Sequence, residues 1–124
     1  MKILVIDDHP VELRLLGDVF AASGYVVARA PCAEDALAKI ARTRPDIVIV
    51  DLNMPGIDGL ALTHAIKANP ETQDIPVVCV TAAPEQFTRE RAIEVGCDAY
   101  LTKPLNMTKL PEDVHAIARR EAGN

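Results

Sequence analysis

The sequence contains no tryptophan, and only two Tyr and two Phe among 124 residues. A core so poor in rings must be built from aliphatic side chains. Cysteine is also scarce. Cys32, Cys79 and Cys97 include no Cys-x-x-Cys pair, and their odd number argues against a disulfide framework. They read as packing thiols, and a reducing cytoplasm as the expected location. Long apolar stretches are missing. The longest uncharged runs, 19–28 and 75–84, have ten residues each, where a membrane-spanning helix needs about 20. Positive charge is in deficit, with 13 Lys and Arg against 18 Asp and Glu, a net charge of −5. Such a chain has no general attraction for nucleic acid or anionic lipid. The N-terminus, Met-Lys-Ile-Leu-Val-Ile-Asp-Asp, brings two carboxylates after four apolar residues and is not a signal peptide.

What is present is ordinary for one globular domain: 49% hydrophobic and 25% charged residues. Short β-branched runs alternate with helix-like stretches. The runs are 2–7, 25–30, 46–51, 76–81 and 97–101. Ile-Leu-Val-Ile, Ile-Val-Ile-Val and Val-Val-Cys-Val are continuous rather than alternating. Strands buried on both faces read this way, so a parallel sheet covered by helices is predicted. The second run is weaker, as an edge strand would be.

Helices are expected over 11–22, 33–42, 59–68 and 85–95, with a last one starting near Thr108. The first presents Val11, Leu15, Asp18/Val19 and Ala22 as one stripe. The second presents Ala33, Ala36/Leu37 and Ile40. The third has two candidate core faces, one with Leu60, Thr63/His64 and Lys67, the other with Leu62, Ala65 and Ile66. The fourth ends at Gly96, a favourable C-terminal residue. The last carries Leu110, Val114, Ile117 and Ala118 at helical spacing, with Pro111 in its tolerant first turn.

Five strand–helix units with short connections predict an α/β, doubly wound (βα)5 fold. Its five-stranded parallel sheet has the flavodoxin-like order 2-1-3-4-5. No linker or repeat interrupts it, so residues 1–124 are expected to form a single domain.

Sites in such sheets form beyond the carboxyl ends of the strands, where strand order reverses. The first strand ends in Asp7-Asp8, the third in Asp51, the fourth in Thr81, and the fifth is followed by Lys103-Pro104. The second ends in Ala30-Pro31 and offers nothing. Each residue alone has an ordinary use: an Asp after a strand caps a turn, and a Thr caps a helix. All five on one rim point to chemistry. Two carboxylates 4 Å apart repel by about 4 kcal/mol at an effective dielectric of 20. Lys103 offsets part of this, and a divalent cation offsets more. Mg²⁺ suits an all-oxygen site, with Asp8 and Asp51 as direct ligands and Asp7 acting through water. The turn Asn53-Met54-Pro55-Gly56 can add a carbonyl. Asp51, the central carboxylate, is the candidate phosphoryl acceptor. Thr81 and Lys103 are placed to bind phosphoryl oxygens.

The motifs Ile-Leu-Val-Ile-Asp-Asp (3–8), Pro-Asp-Ile-Val-Ile-Val-Asp-Leu-Asn-Met-Pro-Gly-Ile-Asp-Gly (45–59), Ile-Pro-Val-Val-Cys-Val-Thr-Ala (75–82) and Ala-Tyr-Leu-Thr-Lys-Pro-Leu (99–105) give the chain a resemblance to a known family. It resembles the receiver domain of bacterial two-component response regulators, over 2–119. The resemblance implies that Asp51 takes a phosphoryl group from a histidine kinase or a histidine phosphotransfer protein. It implies Mg²⁺ at Asp8, Asp51 and the Asn53 carbonyl, with Asp7 through water. It implies Thr81 and Lys103 as phosphoryl ligands, and Tyr100 as an aromatic switch that turns inward when Thr81 moves. It also implies a cis bond before Pro104, self-catalysed phosphorylation and dephosphorylation, and a switched surface around helix 85–95, strand 97–101 and helix 108–119.

Departures from the family pattern are His9 after Asp8, Ala83 two residues past Thr81, Pro84 beside it, and Pro111 near the last helix start. His9 is expected to be exposed at the rim, where it can tune metal or phosphate affinity. Ala83 cannot position a hydrolytic water. His64 and His115 are expected to be exposed on helices. Arg89–Arg91 and Arg119–Arg120 are expected to form solvated basic faces.

Three other functions compete. A phosphatase of the haloacid-dehalogenase type needs Asp-x-Asp after the first strand, and the chain has Asp7-Asp8-His9-Pro10 there. A flavodoxin needs a Ser/Thr/Gly-rich phosphate loop at the same place, where His9-Pro10-Val11-Glu12 stands. A phosphorylation-independent adaptor would not need the complete acceptor set. The expectation is therefore a stand-alone, chemotaxis-regulator-like switch, not a conventional enzyme, acting on a downstream protein target or relaying phosphate, with no nucleic-acid partner and no membrane insertion.

Overall fold

Continuous aliphatic runs become five parallel strands in the computed structural model, which describes residues 1–122. They are β1 (Lys2–Ile6), β2 (Val26–Ala30), β3 (Ile47–Asp51), β4 (Val77–Thr81) and β5 (Ala99–Thr102). The sheet order is β2-β1-β3-β4-β5, as expected. β1 pairs with β3 through Ile3–Ile47 to Ile6–Val50, and β3 with β4 through Val48–Val77 to Asp51–Val80. Every strand bound lies within two residues of the sequence expectation.

The strands alternate α1 (Pro10–Ala22), α2 (Ala33–Thr43), α3 (Gly59–Ala68), α4 (Arg89–Glu94) and α5 (Leu110–Ala122). Alternate residues of each strand feed two cores. Leu4, Ile6, Val48, Val50, Val77 and Cys79 pack towards Ala36, Ile40, Leu62 and Ile66. Ile3, Val5, Ile47, Ile49, Val78 and Val80 pack towards Leu16, Phe20, Val114 and Ile117. Burial of each such side chain is worth about 1.5–3 kcal/mol. β2 is an edge, and only Ala30 of it is buried.

Four helix expectations are corrected. On α1, Val11 and Leu15 are exposed; Leu16, Gly17 and Phe20 face the core, one step round the helix from the predicted stripe. On α2, Ala33, Ala36 and Ile40 are buried as predicted, but Leu37 at the stripe's edge is exposed. α4 is shorter than 85–95. Residues 85–87 turn back on Ala83, whose carbonyl accepts from the N–H groups of Gln86 and Phe87. Thr88 then caps the helix by accepting from Arg91 N–H at 3.2 Å. α5 starts at Leu110 rather than Thr108. Asn106 Oδ1 holds the preceding turn by accepting from the N–H groups of Thr108 and Lys109. Pro111 is in the first turn, and Leu110, Val114, Ile117 and Ala118 are buried as predicted. α3 settles its ambiguity with Leu62, Thr63 and Ile66 inward and His64 and Ala65 exposed. Gly96, at φ 101°, follows α4 in the left-handed conformation that glycine tolerates.

Candidate functional site

The site begins with where the strands stop. β1 hands over to Asp7, whose N–H still donates to Ala30 O across the sheet at 3.2 Å. The Asp7 side chain is thus carried into the rim at 1% exposure. Asp51 ends β3 and is 5% exposed. The chain then folds back on itself. Asn53 N–H donates to Asp51 Oδ1 at 3.0 Å, and Gly59 N–H donates to Leu52 O at 3.1 Å. Gly59 is required here: a Cβ at this residue would lie 2.6 Å from Asp51 O and from Leu52 Cα. Asp58 opens α3 by accepting from Ala61 N–H at 2.9 Å.

Lys103 arrives from beyond β5. Its Nζ donates to Asp51 Oδ2 at 3.1 Å and to Glu12 Oε2 at 2.9 Å, and stands 3.9 Å from Asp7 Oδ2. Burial alone would lower the Lys103 pKa; the hydrogen bonds to Glu12 and Asp51 outweigh it and hold the ammonium above its ordinary value. The same ammonium draws the Glu12 carboxyl below its usual range. Burial pushes Asp7 up, and the Asp51 charge adds to the push.

The carboxylates are not fully satisfied. Asp7 Oδ2 and Asp8 Oδ1 are buried without a hydrogen-bond partner. Leaving a buried charge short of partners is costly. Ligand atoms of Asp7, Asp8, His9 and Asp51 all lie within 4.8 Å of one another. Orphaned oxygens converging on one point fit a divalent cation better than they fit an empty pocket.

The structure therefore brings together Asp7, Asp8, Asp51 and Lys103, as the sequence predicts. Asn53 is tied to Asp51 through its N–H, which keeps its main chain beside the acid. Thr81 is at the predicted place and fully buried, but its hydroxyl oxygen accepts from Ala83 N–H at 2.9 Å, in its own loop. Its main chain is coupled to the site instead: Lys103 N–H donates to Thr81 O at 2.8 Å. The Lys103–Pro104 peptide is cis. Tyr100 is turned inward, with its hydroxyl donating to Phe87 O and the Arg89 guanidinium 4.9 Å from its ring centroid. His9 is exposed as expected, yet its Nδ1 reaches the acidic cluster. Glu12 was missed by the sequence reading. It lies in the first turn of α1 and reaches the rim through Lys103, and the strand-end pattern carries no signal for it.

Comparison with known proteins places this geometry. The model of the response regulator receiver domain matches residues 3–115. The response regulator PleD of Caulobacter vibrioides is 38% identical over 118 residues, which are 95% of this chain and 26% of PleD. The polar-differentiation response regulator DivK of Brucella anthropi is 31% identical over 113 residues, 91% of this chain and 92% of DivK. Among solved structures, the signal receiver domain of a signal transduction histidine kinase from Syntrophus aciditrophicus superposes with a TM-score of 0.88 at 29% identity, covering 96% of this chain and 90% of that one. The chain thus spans about a quarter of the length of PleD and nearly all of DivK.

Proposed function

The chain belongs to the response regulator receiver domain family, the phosphoacceptor switches of two-component signalling, and from that footing we propose that Asp51 is its phosphoacceptor. One observation carries the proposal. Asp51 is a nearly buried carboxylate whose two oxygens are separately held, Oδ1 by Asn53 N–H and Oδ2 by Lys103 Nζ. An ionised carboxylate so fixed can attack phosphorus in line without a general base. The P–N bond to the donor, a phosphohistidine of a histidine kinase or phosphotransfer protein, breaks as the P–O bond to Asp51 forms, and the donor imidazole leaves and takes up a proton. Lys103 is placed to neutralise charge on the transferred group, and Thr81 to bind one of its oxygens once its hydroxyl leaves Ala83 N–H.

Asp8, Asp51 and the Asn53 carbonyl are proposed to hold Mg²⁺, with Asp7 acting through water; the two orphaned carboxylate oxygens support this. When bound, the ion supplies neutralisation of the phosphoryl oxygens. The chain's own part is to pre-position the acceptor. The same set supports autocatalytic phosphorylation and dephosphorylation.

The output is proposed to run through Tyr100. Its inward ring bonds the Phe87 carbonyl, in the loop joining Thr81 to α4, so a shift of that loop reaches α4, β5 and α5. Residues 1–124 then act as a single cytoplasmic receiver domain that signals to a protein target or relays the phosphoryl group. The test is intact-mass analysis after incubation with acetyl phosphate and Mg²⁺. The native chain is expected to gain one phosphoryl group. Asp51→Asn, or EDTA, is expected to abolish the gain. An adduct that survives Asp51→Asn overturns the assignment.

A further inference from the structure

Lys103 brings its ammonium to the rim between two carboxylates of unlike kind. Asp51 ends the central strand and is 5% exposed. Glu12 sits on α1, 91 residues away in the chain, and is 43% exposed. Nζ donates to Glu12 Oε2 at 2.9 Å and to Asp51 Oδ2 at 3.1 Å. The same Glu12 oxygen stands 3.6 Å from His9 Nδ1, a longer contact. Glu12 does not belong to the convergent acidic set. Among the described residues, the atoms that gather within 4.8 Å are those of Asp7, Asp8, His9 and Asp51. The Glu12 carboxylate is therefore directed at the ammonium. Its hydrogen bond is also the largest single contribution that keeps the half-buried Lys103 charged.

The two partners fare differently during transfer. When a P–O bond forms at Asp51, that carboxylate becomes an acyl phosphate and loses its charge. The ammonium must then pass from Asp51 to an oxygen of the phosphoryl group. Glu12 takes no part in the bond change and keeps its charge and its place throughout. We propose that Glu12 is the positioning residue of Lys103: it holds the ammonium over the acceptor while the other contact changes hands. The inference rests on the reading of Asp51 as phosphoacceptor, and it gives a role to a residue outside the acceptor and ligand set. A lysine head on a flexible four-carbon stem carries about 2 kcal/mol of rotamer entropy. A partner that does not change during the reaction keeps that freedom from being spent in the transition state. Because Glu12 is partly open to water, its charge is held there at little desolvation cost.

A carboxylate near an incoming phosphoryl group also repels it. If repulsion were the main effect of Glu12, removing its charge would speed transfer. Positioning predicts the reverse, and it needs an acceptor oxygen rather than a charge, which an amide supplies. The full chain is phosphorylated with acetyl phosphate and Mg²⁺ and followed by intact mass, as native sequence, Glu12→Gln, Glu12→Ala, Lys103→Met and the double variant Glu12→Ala with Lys103→Met. Both Glu12 variants remove the same charge from the start of α1, so any effect through the helix is common to them. Glu12→Ala is expected to slow transfer at least about fivefold, and Glu12→Gln to stay within about twofold of native. In the Lys103→Met background, Glu12→Ala is expected to change nothing further. A second readout needs no phosphodonor. Acetylation of Lys103 by an amine-reactive ester, followed by peptide mass, is expected to quicken several-fold in Glu12→Ala and little in Glu12→Gln. Unchanged or faster transfer in Glu12→Ala, equal slowing in Ala and Gln, or the same slowing without Lys103 overturns the proposal. So does Lys103 acetylation that Glu12→Ala leaves unchanged. A native chain that gains no phosphoryl group overturns the acceptor reading and this role with it, whereas a native gain unaffected by Glu12→Ala overturns this role alone.

Discussion

At the residue scale, chemistry was legible wherever a strand delivers a side chain. Asp7, Asp8, Asp51 and Lys103 were placed by one rule, that strand ends share a rim; Lys103 meets Asp7 and Asp51 at ion-pair distance, and ligand atoms of Asp7, Asp8 and Asp51 lie within 4.8 Å of one another. Glu12 escaped the rule because a helix carries it. The Thr81 hydroxyl escaped as well, because strand ends say where a residue sits and not which neighbour its rotatable O–H finds. Tyr25 is a further case. Its hydroxyl crosses from the start of β2 to donate to Pro111 O at 2.8 Å, and its ring meets Phe20 edge-on at 5.0 Å. Burial raises its pKa above the ordinary 10.0. A folded-state value above the unfolded one gives a stabilisation that is complete below pH 10 and is lost as pH rises through the folded value. Tyr25→Phe is expected to cost about 1 kcal/mol at pH 8 through the lost hydrogen bond. The variant is also expected to lose stability less steeply than the native chain above pH 10. Urea unfolding at the two pH values checks both. Burial raises Tyr100 likewise, so part of the alkaline slope is expected to remain in the variant.

Among the elements, continuous aliphatic runs announced β1, β3 and β4, because strands covered on both faces leave little room for another pattern, while the edge strands β2 and β5 signalled themselves more weakly. Helix faces were less legible. Two apolar stripes run along α1, and only tertiary context selects Leu16 and Phe20 over Val11 and Leu15. Val11 stands in the first turn at the rim, where it is left exposed. α4 began late for a local reason. Thr88 offers a capping hydroxyl, and Phe87 is buried before it, so the segment turns first and winds afterwards. α3 depends on a contact no periodicity reveals, the approach of Gly59 to the end of β3. Gly59→Ala is expected to force the two backbones apart. Because backbone atoms cannot yield as a flexible side chain does, a loss of about 1–3 kcal/mol is expected. Thermal unfolding measures that loss. Phosphorylation of Asp51 is expected to slow in the same variant, since the loop displaced is the one whose Asn53 N–H holds the acceptor.

In the molecule as a whole, the site is assembled from pieces of very unequal security. β3 is hydrogen-bonded on both sides, to β1 and β4, and all five of its residues are buried. β5 is an edge, bonded only to β4, and Thr102 at its end is exposed. Edge strands open by local unfolding at lower free energy than central ones. Amides of 99–102 are therefore expected to exchange with deuterated water faster than those of 47–51 when the native chain is followed by mass spectrometry. Asp51 belongs to the slow class, and Lys103 follows the fast one. When that edge opens, the ammonium is expected to depart with it while the carboxylates stay. The native protein is then expected to visit, without unfolding, a form in which the acids face one another with the Lys103 charge withdrawn, and the lifetime of the closed site to be set at its edge rather than at its acceptor.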